Sequence, residues 1–113
     1  MSSAELPRAV GVWVWAPHRT PWEITRQRRI CTQHARTLGW HVTRFYCDAG
    51  HNLLDPLLPG ITRLLVDLER GAITAVIIET RLRLPEDPYL FAAFSRAVQA
   101  PNKLEFVQNV ARH

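Results

Sequence analysis

The polar residues that could do chemistry fall directly after three apolar, strand-like runs of the sequence. Residues 18–20 follow the first run, Asp48 follows the second, and a polar segment at 79–88 follows the third. If the runs are parallel strands, these residues meet in the crevice beyond the carboxyl ends of the sheet, where open α/β folds bind ligands. The polar segment offers both cations and carboxylates, namely Arg81, Arg83, Glu86 and Asp87.

Several common kinds of site lack the residues they need. The five glycines are spread singly, which argues against a Gly-rich phosphate loop, and the five histidines show no paired metal-ligand spacing. We therefore expect no cofactor and no metal. Cys31 falls on a predicted buried helix stripe, and Cys47 precedes Asp48, whose charge opposes thiolate formation. Both cysteines are predicted to be buried free thiols.

Length and composition indicate one compact domain. The chain has 113 residues, of which 47% are hydrophobic and 21% are charged. We expect the domain to span 8–108 between short tails at 1–7 and 109–113. No apolar run approaches membrane-spanning length and no secretory signal is visible, so we expect a cytoplasmic protein without a membrane partner. A net charge of +4 permits contact with nucleic acid without requiring it.

Hydrophobic periodicity predicts alternating strands and helices. The strands are expected at 8–15, 41–47, 73–78 and 104–107, and the helices at 22–38, 61–70 and 89–99. This order predicts an α/β three-layer sandwich with a four-stranded parallel sheet in flavodoxin-like order. The first strand should be central, flanked by the second and third, with the fourth beyond the third.

A series of short segments suggests a family. In chain order they are Ile24-Thr25-Arg26-Gln27-Arg28 with Cys31, Leu38-Gly39-Trp40-His41-Val42, Phe45-Tyr46-Cys47-Asp48-Ala49-Gly50, Leu58-Pro59-Gly60-Ile61, Arg83-Leu84 with Asp87-Pro88, and Leu104-Glu105-Phe106-Val107. Together they resemble the catalytic domain of the serine recombinases, the resolvase and invertase family, over most of the chain. The resemblance implies a resolvase-like fold. It also implies DNA cleavage by a serine that attacks a phosphate, with arginines neutralising the developing charge.

Key positions of that family's site are changed in this chain. Pro17 stands where the nucleophilic serine would be, and proline has no hydroxyl to attack with. Four further substitutions fall at family site positions, three of them in place of arginines: Trp15, Leu58, Leu82 and Glu86. The retained positions are Gln27, Arg28, Asp48 and Arg83. A shifted loop alignment would offer Thr20 as a poor nucleophile and Arg19 or Arg81 as substitute cations.

The retained residues also have purely structural interpretations. Gln27 is either a remnant of the site or a buried amide that satisfies the backbone of the proline-rich loop. Asp48 is expected to cap a turn at Gly50. Arg28 and Arg83 are expected to pair with Asp48 or Glu86.

The sequence therefore predicts a non-catalytic resolvase-like domain that associates with itself, at least as a homodimer, or with a protein partner. The predicted exposed interface residues are Trp22, Leu53, Leu54, Leu57, Leu58, Tyr89 and Phe91. The alternative is a DNA-binding or active recombinase fragment whose arginines face phosphate, namely Arg19, Arg26, Arg28, Arg29, Arg81 and Arg83. The sequence ends about six residues after the fourth strand, so we expect no element that reads a specific DNA sequence.

Overall fold

The computed structural model describes residues 6–108, and these form alternating strands and helices. The elements are β1 (Val10–Ala16), α1 (Pro21–Thr37), β2 (Val42–Ala49), α2 (Pro59–Glu69), β3 (Ala75–Thr80), a 3₁₀ turn (Arg81–Arg83), α3 (Pro88–Ala97) and β4 (Lys103–Gln108). Every predicted element is present, with ends displaced by a few residues at most. Most of the two predicted tails, at 1–5 and 109–113, lies outside the described residues.

All strand pairs are parallel, and the sheet order is β2-β1-β3-β4. This order confirms the prediction of a central first strand. Helix α1 packs on one face of the sheet, and α2 packs with α3 on the other, which makes the predicted three-layer sandwich. The carboxyl ends of β1, β2 and β3 consequently lie at one edge of the sheet, which we call the carboxyl edge.

Alternation along β1 divides the core between the two faces. Val10, Val12 and Val14 pack against Cys31 and Ala35 of α1. Trp13 points to the opposite face, where the cluster contains residues of β2, α2, β3 and α3. Gly11 lies in β1 where a Cβ would come within 2.8 Å of both Ile73 and Tyr46, so this close packing requires glycine.

Three predictions of burial or exposure are wrong. Leu53 and Leu58 were expected at an exposed interface, yet both are buried in the core on the α2 face. They are buried because the loop before α2 folds back over the sheet. Cys47 was expected to be buried, yet it is exposed because its strand, β2, lies at the edge of the sheet. Cys31 is buried as predicted, and burial raises the pKa of its thiol to about 12.

No helix among residues 6–108 has both the length and the apolar character needed to span a membrane.

Candidate functional site

The carboxyl edge brings together the end of β1, the start of α1 and the segment that follows β3. Helix α1 begins at Pro21, so its first two turns carry Glu23, Arg26 and Gln27 toward the end of β1. Ile77 of β3 faces α1, and two-residue alternation puts Glu79 on the same face. The 3₁₀ turn then returns Arg83 to these side chains.

Two arginines and two glutamates form a charge-balanced network, which we call the ionic network: Glu23, Arg26, Glu79 and Arg83. Arg26 Nη2 lies 2.7 Å from Glu23 Oε2, and Arg26 Nη1 lies 2.9 Å from Glu79 Oε2. Arg83 Nη2 lies 3.4 Å from Glu23 Oε2, and its Nε lies 3.2 Å from Glu79 Oε1. Each guanidinium therefore contacts both carboxylates.

The network shifts the proton affinities of its members. The hydrogen bonds from Arg26 outweigh the opposing effect of burial, and with a further bond from Gln27 they lower the pKa of Glu23 to about 2. Hydrogen bonds to Glu23 and Glu79 also raise the pKa of Arg26 above its usual value. Glu23 and Arg26 are thus charged throughout the physiological pH range.

Gln27 links the network to β1. Its Oε1 accepts a hydrogen bond from Trp15 N at 3.1 Å, and its Nε2 donates to Trp15 O at 2.7 Å and to Glu23 Oε2 at 2.8 Å. Arg83 Nη1 donates to the same Trp15 O at 3.0 Å. Gln27 therefore is a buried amide that satisfies backbone groups, as one interpretation expected, although its partner is the strand rather than the proline-rich loop.

Asp48 has a different role from the one predicted. Its carboxylate accepts hydrogen bonds from Trp13 Nε1 at 2.8 Å, Gly60 N at 2.7 Å and Ile61 N at 2.9 Å. It therefore satisfies the first turn of α2 instead of capping a turn at Gly50. Gly60 is required there because a Cβ would lie 2.8 Å from both Asp48 Oδ2 and the carbonyl oxygen of Cys47.

The predicted arginine partners are also wrong. Arg83 pairs with Glu23 and Glu79, because the 3₁₀ turn directs it toward α1 and away from Asp48. Arg28 lies over the Phe45 ring, with 4.2 Å between its guanidinium carbon and the ring centroid. Arg28 therefore lies beside β2 and does not belong to the ionic network.

A shallow cavity of about 420 Å³ lies at the carboxyl edge, where three of the five changed positions meet. It is lined by Trp15, Pro17, Gly50, His51, Asn52, Leu53 and Glu86. Trp15 is held there by a hydrogen bond of 2.7 Å from its indole N–H to the carbonyl oxygen of His51. The lining contains no hydroxyl, thiol or guanidinium side chain, so it offers neither a nucleophile of that kind nor an arginine for a phosphate.

The remaining predicted phosphate-binding arginines are separated. Arg19 is exposed and lies against Gly50. Arg81 is also exposed, and its guanidinium lies 5.0 Å from the centroid of the Phe106 ring. Arg26 and Arg83 belong to the ionic network. Thr20 precedes α1 without a side-chain capping bond. These side chains therefore do not meet at one point where they could bind a phosphate together.

The other predicted interface residues are exposed, and most lie at the carboxyl edge. We call this set the apolar rim: Trp22, Leu54, Leu57, Leu82, Tyr89 and Phe91. Leu82 joins the set because it lies on the exposed 3₁₀ turn. Tyr89 is 87% exposed and Leu57 is 77% exposed, so these two side chains gain little from the fold itself.

Sequence reasoning did not identify Glu23 and Glu79 as site residues. Glu79 directly follows the apolar run 75–78 of β3 and shares a face of the sheet with Ile77. This position is a sequence signal that Glu79 points toward α1. Glu23 lies near the positive end of α1, and its signal is the spacing that places it one turn before Gln27 and three residues before Arg26. Among residues 6–108, no three potential ligand side chains are close enough to hold a metal ion.

No family model matches the sequence, and no curated protein matches it either. Solved structures do. The C-terminal catalytic domain of ISC1926 TnpA, an IS607-like serine recombinase, matches with a TM-score of 0.73 and 20% identity over 88% of this chain and 70% of that chain. The N-terminal catalytic domain of TP901-1 integrase matches with a TM-score of 0.71 and 24% identity over 88% of this chain and 76% of that chain.

A third match is the first open reading frame of transposon ISC1904 from Sulfolobus solfataricus P2. Its TM-score is 0.69 and its identity is 17%, over 91% of this chain and 69% of that chain. The two matches above are catalytic domains of a serine recombinase and of an integrase. The resemblance predicted from the sequence is confirmed, and the chain has the fold of serine recombinase catalytic domains.

Proposed function

We propose that this chain is a recombinase-like domain that does not cut DNA and acts by associating with itself or with a protein partner. The observation that carries the proposal is the ionic network. Arg26 and Arg83 both contact Glu23 and Glu79, and Arg83 also donates a hydrogen bond to Trp15 O near the end of β1.

Phosphate chemistry needs positive charge that is free to meet the negative charge of the transition state. In this network two carboxylates already balance two guanidinium groups. A DNA phosphate brought to Arg83 would also meet the repulsion of Glu23 and Glu79. Pro17 supplies no hydroxyl at the position that matches the family's nucleophile. Both a missing nucleophile and neutralised cations thus support the absence of strand cleavage.

Association is supported by the apolar rim. Six large apolar side chains exposed around one edge form the kind of surface that a monomer rarely leaves uncovered, and aromatic residues are enriched at the centres of interfaces. Most of the rim lies at the carboxyl edge, as does the cavity lined by Trp15 and Pro17. A partner that covers the rim would therefore close the crevice in which the family's chemistry takes place.

Trapping of covalent adducts on supercoiled DNA tests the first half of the proposal. We expect neither the native protein nor Pro17→Ser to form an adduct on a denaturing gel, because the serine would still lack unneutralised cations. An adduct with the native protein that is lost in Thr20→Ala would overturn the proposal. An adduct with Pro17→Ser would show that the ionic network does not block the chemistry.

Sedimentation tests the second half. At micromolar concentration we expect a species heavier than the 13.0 kDa of one chain. The double variant Leu57→Ser, Tyr89→Ser should shift the population toward the monomer. Val66→Ser is the matched control, because Val66 is an exposed apolar residue of α2 outside the rim. A native protein that sediments only as a monomer would contradict self-association.

A further inference from the structure

Strand β2 is an exposed edge of the sheet with eight residues, Val42–Ala49. Gly50 N donates to Ala16 O of β1, so alternate residues of this chain segment direct their backbone groups toward β1. The backbone groups of Phe45 and Cys47, which lie in the regularly paired part of β2, consequently point outward. No strand among residues 6–108 pairs with this side of β2. Such an edge is a template for one more strand.

The edge is bordered by arginines on both faces of the sheet. On the α1 face, a groove of about 320 Å³ is lined by Arg28, Arg29 and Arg36 together with Phe45. On the α2 face, a groove of about 610 Å³ is lined by Arg44, Arg63 and Arg70. Five of these six arginines form no ion pair with any residue of 6–108, and Arg44 lies 3.7 Å from Asp67.

Acidic residues are nearly absent from these grooves. The lining of the α1-side groove contains none. The lining of the α2-side groove contains only Asp67, which is buried and accepts a hydrogen bond of 2.6 Å from the Tyr46 hydroxyl. The two sides of the β2 edge therefore carry positive charge that the described part of the chain does not neutralise.

We propose that the β2 edge binds an extended acidic segment of a partner protein as an additional strand. The side chains of an added strand alternate between the two faces of the sheet, so every second one would meet Arg28, Arg29 or Arg36 and the others would meet Arg44, Arg63 or Arg70. Backbone hydrogen bonds to Phe45 and Cys47 hold the segment, and carboxylates select it. A nucleic acid strand matches the charge but cannot form the strand ladder. This proposal does not depend on the absence of catalysis.

Amide hydrogen exchange with a decaglutamate peptide tests the proposal on the native chain. The peptide is extended at neutral pH because its charges repel one another. We expect binding to slow exchange at the outward amides of Phe45 and Cys47, and not at the inward amides of Arg44 and Tyr46. A decaglutamate that is N-methylated at alternate residues keeps the charge, loses half of its backbone donors and should fail to protect these amides.

Charge variants supply the second arm of the test. The double variant Arg28→Glu, Arg63→Glu should weaken binding by about tenfold, since exposed charge pairs contribute modestly but two reversals act together. Arg96→Glu, on the exposed face of α3, is the matched control and should change binding by less than about twofold. Equal binding of the N-methylated peptide would overturn the proposal. Decathymidylate binding without peptide binding would also overturn it and would assign the edge to nucleic acid.

Discussion

Asp48 and Glu79 are buried carboxylates near the carboxyl ends of β2 and β3, the two strands that flank β1. Their exposed fractions are 1% and 4%. Asp48 is satisfied by neutral donors: an indole N–H and two backbone N–H groups at the start of α2. Glu79 accepts two hydrogen bonds from the charged group of Arg26 and forms an ion pair with Arg83.

Asp48 thus has an architectural role at this edge, whereas Glu79 has an electrostatic one. The contacts of Asp48 fix where α2 begins and hold Trp13 in the core. The fold therefore needs Asp48 whether or not the domain is catalytic. The contacts of Glu79 instead offset the positive charge of Arg26 and Arg83 at this edge. A retained family residue is therefore weak evidence for retained chemistry.

The largest loss of stability is expected when Asp48 is replaced. Asp48→Ala leaves two buried donors and one partly buried donor without an acceptor and should lower the free energy of unfolding by about 4 kcal/mol. Urea denaturation measures the change. Asp55→Ala is the control, because Asp55 accepts one bond from Leu57 N in a more exposed loop and should cost less than about 1 kcal/mol. Equal losses in the two variants would contradict the architectural role of Asp48.

A somewhat smaller loss of stability is expected when the hydrogen bonds between Gln27 of α1 and Trp15 of β1 are removed. Gln27→Leu replaces the amide with an apolar side chain of similar size and removes the paired hydrogen bonds to Trp15, so it should cost about 3 kcal/mol. Gln33→Leu, on the exposed face of the same helix, should change stability by less than about 0.5 kcal/mol. If both variants unfold at the same urea concentration, the buried amide does not tie α1 to β1.

The pH dependence of stability probes the ionic network itself. Because the folded state lowers the pKa of Glu23 from 4.5 to about 2, the stabilisation is complete above pH 4.5 and is lost as the pH falls toward 2. The loss should be about 2 kcal/mol, smaller than the full linkage value because the side chain retains some solvent contact.

The variant Glu23→Gln should remove this part of the pH dependence, whereas Glu86→Gln, at an exposed loop position, should leave it unchanged. Thermal unfolding at a series of pH values measures the slope. Parallel curves for the native protein and Glu23→Gln would show that Glu23 is not stabilised by Arg26.

The fold was predictable because hydrophobic patterns within short segments indicate each helix and strand. Ile61, Leu64 and Leu68 mark the buried face of α2 by helical spacing, and β3 is a short continuous apolar run, as buried parallel strands are. Leu53 and Leu58 were misplaced because a loop has no periodicity that tells buried from exposed leucines. Their burial depends on how the loop folds over Trp13 and Tyr46, which only the tertiary structure shows.

The site was less predictable because its contacts join distant parts of the chain. The resemblance drew attention to Gln27, Asp48 and Arg83, but the partners expected for Asp48 and Arg83 came from local turn chemistry and ordinary ion pairing. Asp48 instead meets the backbone of Gly60, and Arg83 meets Glu23. Glu23 has an ordinary local explanation as a helix-end charge, and the face that Glu79 shares with Ile77 indicates its direction but not its pairing with Arg26 and Arg83 across the sheet edge.

Phosphodiester binding to the arginines tests the central claim most directly. The Nε–H signals of Arg26 and Arg83 can be followed by NMR during a titration with diethyl phosphate, with exposed Arg19 as the reference for non-specific contact. We expect no saturable shift at Arg26 or Arg83 in the native protein, and a saturable shift at both in the double variant Glu23→Gln, Glu79→Gln. A saturable shift at both arginines in the native protein would contradict the claim that the glutamates neutralise this site.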